Sequence, residues 1–196
     1  MKRIGIFGGS FNPPHVAHLI GAEIAREELE LNTVIFMPAS VPPHKQKMRL
    51  PDARLRLRMV MAAIAENPCF EASDIELNRE GPSYSVDTLR QLKSQHPDAH
   101  LVLIIGMDNL EIFHSWRSSE EILSLAELGV MVRPGYSKEK VKPELLQHVR
   151  FVEIPLLEIS GTEIRKRIES GHSVLYMVTD AVLAIIEQES LYKDEI

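Results

Sequence analysis

The sequence predicts an α/β fold, a doubly wound and mostly parallel sheet with helices on both faces. Two observations carry this. Short apolar runs alternate with longer amphipathic stretches along the chain, the pattern of repeated β–α units. Runs such as Val102-Leu103-Ile104-Ile105 are apolar throughout, as expected of strands covered on both faces.

The elements follow in order. Residues 3–7 form the first strand. The N-terminus is basic and then apolar, which faintly imitates a signal peptide, but the apolar run is too short and turn residues follow at once. Further strands are expected at 33–37, 70–75, 101–105, 128–132 and 151–154. Between them, apolar residues at helical spacing predict helices over 15–29, 52–65, 85–96, 119–126, 138–146, 161–170 and 180–189. Pro42-Pro43 and Pro134-Gly135 punctuate loops and separate no domains. Such a sheet is Rossmann-like, and its ligands sit beyond the carboxyl ends of the strands. That rule singles out residues 8–18, 38–45 and 106–116.

Bulk properties bound the function. The 196 residues suit one domain spanning the chain, with an ordinary 44% apolar and 26% charged content. A net charge of −6 argues against general nucleic-acid binding, and no apolar stretch is long enough for a transmembrane helix. Cys69 is the only cysteine, so neither an internal disulfide nor a zinc-type cluster is expected. A cytoplasmic enzyme follows as the default, with a homodimer left open.

The segment after the first strand carries the most chemistry: Gly8-Gly9-Ser10-Phe11-Asn12-Pro13-Pro14-His15-Val16-Ala17-His18. Glycines let the backbone approach a ligand and expose its N–H groups, and a following helix N-terminus favours an anion. His15 and His18, three residues apart, share a helix face and can donate to phosphate oxygens, more strongly if protonated. Read alone, the pair also fits capping histidines, or a metal pair for which no third ligand is near. Neither the Gly-Lys-Ser/Thr ending of a P-loop nor the Gly-x-Gly-x-x-Gly dinucleotide fingerprint is present.

This segment resembles the signature Gly-Gly-Ser/Thr-Phe-Asp-Pro-x-His-x-Gly-His of the nucleotidyltransferase superfamily related to class I aminoacyl-tRNA synthetases. The superfamily's second signature, Ile-Ser-Ser-Thr-x-Ile-Arg, resembles Ile159-Ser160-Gly161-Thr162-Glu163-Ile164-Arg165. Three further blocks narrow the resemblance: Val41-Pro42-Pro43-His44-Lys45, Arg79 to Leu89 around Pro82-Ser83-Tyr84-Ser85, and Ile104 to Trp116 around Gly106-Met107-Asp108-Asn109. With Arg133-Pro134-Gly135-Tyr136, the ordered set is similar to bacterial nicotinate-mononucleotide adenylyltransferases over nearly the whole chain.

The resemblance implies transfer of the adenylyl group of ATP to nicotinate mononucleotide, giving nicotinate adenine dinucleotide and pyrophosphate in NAD biosynthesis. It implies an ATP site at Gly8, Gly9, Ser10, Phe11, His15, His18, Gly106, Asp108, Ile159, Ser160, Thr162 and Arg165. The mononucleotide site falls on Ser40, His44, Lys45, Ser83, Tyr84, Ser85, Trp116 and Arg133. His18 is assigned to the α-phosphate with His15 in support, and Lys45 with Arg165 to the β and γ phosphates. Main-chain N–H groups around Ser10-Phe11 and Ser83 to Ser85 are expected to serve the phosphate and the nicotinate carboxylate. Trp116 is suited to stacking on the electron-poor pyridine ring. Mg²⁺ is expected to arrive on ATP, with no protein metal site.

Taken singly, several of these residues have blander roles: Ser160 and Asp108 as helix caps, Trp116 and Tyr84 as packing, Lys47 and Arg49 as a solvated basic loop. Three positions depart from the family pattern. Asn12 replaces Asp, Ala17 replaces Gly where close approach to the nucleotide is expected, and Gly161 replaces Ser. The competing readings are a superfamily enzyme acting on phosphopantetheine or an alcohol phosphate, and a nucleotide-sensing module with little catalysis.

Overall fold

The structure, a computed structural model, describes residues 2–41, 50–133 and 141–193. Its elements are β1 (Arg3–Gly9), α1 (Val16–Glu28), β2 (Thr33–Pro38), α2 (Ala53–Ile64), β3 (Phe70–Ala72), α3 (Ser85–Gln95), β4 (His100–Gly106) and α4 (Met107–Glu111). A 3₁₀ turn (Phe113–Ser115) follows, then α5 (Ser119–Leu125), β5 (Ala126–Val132), α6 (Pro143–Leu146), β6 (Val149–Glu153), α7 (Gly161–Glu169) and α8 (Asp180–Gln188). The six strands pair in the order β3-β2-β1-β4-β5-β6, every pair parallel. The order reverses between β1 and β4, where a doubly wound sheet opens its ligand crevice.

Strand alternation sends side chains to two faces, and both are dry. Ile4, Ile6, Leu103, Ile105 and Val130 pack with Val86, Leu89 and Leu92 of α3 and with residues of α4 and α5. Val34, Phe36, Val102, Ile104 and Val152 pack with Ala22 and Ala25 of α1 and Val60 and Ile64 of α2. Parallel strands buried this way need continuous apolar runs, which is why the sequence pattern located them. A third cluster seats the C-terminal helices against α2, through Met59, Ile164, Val182, Ile185, Ile186 and Tyr192.

Capping explains several boundaries. The Asp52 carboxylate accepts from the Arg54 and Leu55 N–H groups, the Ser160 hydroxyl from Glu163, and the Thr179 hydroxyl from Val182. Some expectations need correcting. The third strand stops at Ala72 and the last begins at Val149, because a strand ends where its neighbour ceases to pair. Within 138–146 the helix covers only Pro143–Leu146, started by a proline that fits a first helical turn; residues 138–140 lie outside the described set. The short α4 was not anticipated. Its N-cap is Gly106, so Asp108 is a first-turn residue and not the cap.

Candidate active site

A cavity of about 810 Å³ opens along the carboxyl edge of the sheet, across the β1/β4 crevice. Gly8 and Gly9 at the end of β1, Ser10 and His15 in the loop that follows and His18 in α1 line it, as do Ser83, Tyr84 and Ser85 around the start of α3. Gly106, Asp108, Trp116, Arg133 and Ile159 complete the expected residues found there. The expected residues Phe11, Ser40, Ser160, Thr162 and Arg165 do not line it, and His44 and Lys45, with the adjacent Lys47 and Arg49, lie outside the described residues.

The loop after β1 is built as a stiff arch. It follows Gly8 at the end of β1, where a Cβ would meet nothing within 4 Å, so the chain enters the arch beside open space. Phe11 has φ +44, a left-handed conformation that costs a bulky residue about 1–3 kcal/mol. Burial of its ring against Phe7 and Phe36 offsets that cost. Phe11 can therefore face a phosphate only through its main chain.

His15 ends the loop in extended conformation as the N-cap of α1, so the helix starts one residue later than expected. Its N–H donates to Nδ1 of His18 at 3.2 Å, which leaves the proton of a neutral His18 ring on Nε2. The two imidazoles stack with centroids 3.6 Å apart, and His18 packs edge-on against Phe11. His15 is only 7% exposed, and burial pushes its pKa down to about 4. It is thus neutral at pH 7, which rules out for His15 the stronger, protonated donation. Its buried Nδ1 has no hydrogen-bond partner among the described residues.

The helix N-terminus contributes less than the sequence suggests. Val16 N–H already donates to the Met177 carbonyl at 3.0 Å, and His18 N–H to the His15 carbonyl at 2.9 Å. The first-turn amides of Val16 and His18 are therefore already engaged within the protein.

The second signature docks directly onto the first. Arg165 Nη1 donates to the Asn12 carbonyl at 2.8 Å. Gly161 makes the approach possible: a Cβ there would stand 2.7 Å from the same carbonyl oxygen. The hydroxyl that a family serine would place at 161 has no room in this packing. Asn12 is also held through its side chain, whose Oδ1 accepts from the Tyr192 hydroxyl at 2.7 Å, both groups buried.

On the opposite wall, two of the amides expected to serve a carboxylate are already used. Ser83 N–H donates to the Val41 carbonyl and Tyr84 N–H to the Pro82 carbonyl, each at 3.0 Å. Ser85 is the first residue of α3, where an N–H has no intrahelical acceptor. The Ser83 hydroxyl accepts from Ser40 N–H at 3.0 Å, which ties Ser40 to this wall without exposing it to the cavity. Trp116 is half-buried, tilted 42° against Phe113, with its indole nitrogen buried and without a hydrogen-bond partner among the described residues.

Three residues escaped the sequence reading. Glu76 lines the cavity and is buried, which raises its pKa against the hydrogen bonds of Thr88 and Ser83. Thr88 Oγ1 donates to it at 2.7 Å and accepts from Arg79 at 2.6 Å. Arg117 stacks its guanidinium 4.7 Å above the Tyr84 ring at the cavity edge, a contact whose only sequence signal is that Arg117 directly follows the block ending at Trp116. Arg56 lies behind the loops, wholly buried. Its only sequence signal is that Arg54, Arg56 and Arg58 alternate, and i, i+2 residues cannot share one helix face.

No group of three or more His, Cys, Asp or Glu among the described residues is placed to hold a metal ion. None of the described helices is long and apolar enough to cross a membrane.

Comparison with known proteins agrees with this geometry. Residues 6–167 match the family described as cytidylyltransferase-like. A Salinibacter ruber protein named "probable nicotinate-nucleotide adenylyltransferase" is 42% identical over 190 residues, covering 97% of each chain. A Geobacillus thermodenitrificans protein of the same name is also 42% identical, over 98% of this chain and 87% of its own. The fold matches that of Plasmodium falciparum nicotinic acid mononucleotide adenylyltransferase complexed with NaAD, with a TM-score of 0.78 and 20% identity over 98% of both chains.

Proposed function

Because the chain belongs to the cytidylyltransferase-like family, we propose that it transfers the adenylyl group of ATP to nicotinate mononucleotide, releasing pyrophosphate. The observation that carries this reading is one continuous cavity of about 810 Å³. It joins a phosphate-suited arch with two histidines to an aromatic wall bearing Trp116 and the start of α3. Sites for small ligands commonly span about 300–1,000 Å³.

An oxygen of the mononucleotide phosphate attacks the α-phosphorus of ATP, a P–O bond forms, and the bond to the β-phosphate oxygen breaks. Pyrophosphate leaves with the electron pair. The attacking phosphate is largely dianionic near pH 7, its second pKa being about 6, so no general base is needed. The enzyme's work is alignment of two polyanions and neutralisation of charge that builds in the transition state.

In this reading His18 donates through Nε2–H to the α-phosphate, and neutral His15 backs it. The main chain of Gly8, Gly9, Ser10 and Phe11 adds donors. Lys45 and Arg165 take the β and γ phosphates, with Ile159, Ser160 and Thr162 beside them. Gly106 and Asp108 hold the adenosine. Trp116 stacks on the pyridine ring, Ser85 N–H serves its carboxylate, and His44, Lys45, Ser83, Tyr84 and Arg133 form the rest of the mononucleotide site, with Ser40 supporting Ser83 from behind. A divalent cation, which we take as Mg²⁺, enters as part of the ATP substrate.

Pyrophosphate release from MgATP, followed with nicotinate mononucleotide, nicotinamide mononucleotide and phosphopantetheine as acceptors, tests the assignment. Nicotinate mononucleotide is expected to give the highest kcat/KM. Preference for phosphopantetheine, or no release with any acceptor, overturns it.

A further inference from the structure

Arg56 projects from α2 into the space behind the active-site loops and is only 1% exposed. A buried guanidinium is normally paired with a carboxylate. Among the described residues its four hydrogen bonds all go to main-chain carbonyls, drawn from three separate segments. Nη1 donates to Ser10 at 2.8 Å, Nη2 to Ala39 at 2.7 Å and Ser40 at 3.2 Å, and Nε to Pro51 at 3.1 Å.

The peptide bond is planar and trans, so a carbonyl held by Arg56 points the N–H of the same peptide the opposite way. For the Ala39–Ser40 peptide that N–H is visibly used: it donates to the Ser83 hydroxyl. The Ser40–Val41 peptide is fixed likewise, and the Val41 carbonyl accepts from Ser83 N–H. For the Ser10–Phe11 peptide, the Phe11 N–H is turned away from Arg56, in a loop whose Ser10 lines the cavity.

We propose that Arg56 is a positioning residue for the transfer reaction: one planar guanidinium sets the register between the phosphate arch at Ser10–Phe11 and the acceptor wall at Ser83. It touches neither substrate. It fixes the spacing between the halves of the site that hold donor and acceptor, the spacing on which in-line attack depends. Lysine cannot substitute, because a single ammonium cannot span carbonyls from three segments in the fork geometry of a guanidinium.

The inference rests on the adenylyl-transfer reading, so the wild-type protein is assayed first. Absence of pyrophosphate release there defeats that reading, not this one. With an active wild type, Arg56→Ala and Arg56→Lys are compared by kcat, KM for each substrate, and ATP-binding stoichiometry by calorimetry. Misplacement of about 1 Å costs roughly 10²-fold in rate. Accordingly, kcat per ATP-binding site should fall about 10²-fold in Arg56→Ala and at least tenfold in Arg56→Lys, with KM for ATP changing several-fold at most.

Guanidinium ion, at concentrations well below those that unfold the protein, should restore at least tenfold of the kcat lost in Arg56→Ala, and ammonium should not. A purely structural arginine would lower the number of ATP-binding molecules and leave kcat per site intact. Overturning results are kcat per site within threefold of wild type, or a loss that guanidinium and ammonium relieve equally or not at all. Should Arg56→Ala not fold, the lysine variant decides alone: wild-type kcat per site refutes the proposal.

Discussion

The buried His15 makes the protein's stability depend on acidity in a calculable way. Its pKa falls from 6.5 to about 4 on folding, through burial. As pH drops below 6.5 the unfolded chain takes up a proton that the folded protein refuses, so stability present above that pH is lost progressively down to about pH 4. A tenfold weaker hold on the proton is worth about 1.4 kcal/mol, and the whole effect is about 3 kcal/mol. Between pH 7 and pH 5 the loss should be about 2 kcal/mol, a substantial part of a typical stability of about 5–15 kcal/mol. His15→Asn keeps a polar group beside His18 but cannot titrate, and it should be spared this loss. Urea unfolding of both proteins at pH 7 and pH 5 measures the difference. With a slope of about 2 kcal/mol/M, the wild-type midpoint should fall about 1 M further than the variant's. Equal falls, within about 0.2 M, would show that the folded imidazole titrates like a solvated one, and would refute a neutral His15 in the site.

Other substitutions separate the remaining roles. His18→Ala should lower kcat by roughly 10²–10³, comparable to removing a donor to a developing oxyanion; turnover within a few-fold of wild type would remove His18 from the transition state. Trp116→Ala should raise KM for the mononucleotide far more than KM for ATP, and equal effects on both would rule out stacking on the pyridine ring. Gly161→Ser, although it recreates the family serine, should destabilise by about 1–3 kcal/mol and lower kcat, because its Cβ meets the Asn12 carbonyl at 2.7 Å. A thermal midpoint and kcat at or above wild type would show that the loop yields freely there.

What the sequence revealed, and what it hid, divides along one physical line. Signals carried by neighbouring residues were readable. The apolar runs of β1, β4 and β5 marked central strands, the glycines and histidines from the end of β1 onward marked residues that line the cavity, and Ser160 marked a helix start. Signals that depend on which distant groups meet were not. Arg56 reads as one charge on a basic helix until carbonyls from positions 10, 39, 40 and 51 converge on it. Glu76 sits in no pattern that distinguishes a buried acid from an exposed one. The Ser83 and Tyr84 amides looked available because nothing local reveals that Val41 and Pro82 already accept from them. His15 was placed inside the helix because periodicity cannot distinguish an N-cap from a first turn.

The grip of Tyr192 on Asn12, 180 positions earlier, has a consequence for biosynthesis. The arch after β1 is translated before every one of these groups that hold it, and they follow in a fixed sequence: Arg56, then Arg165, the Met177 carbonyl and the Tyr192 hydroxyl. A nascent chain can therefore own its strands long before it owns every group that fixes this loop. The loop is secured only once Tyr192 has been made, and a polypeptide cut short after β6 would lack Arg165, Met177 and Tyr192, three of the residues that hold it.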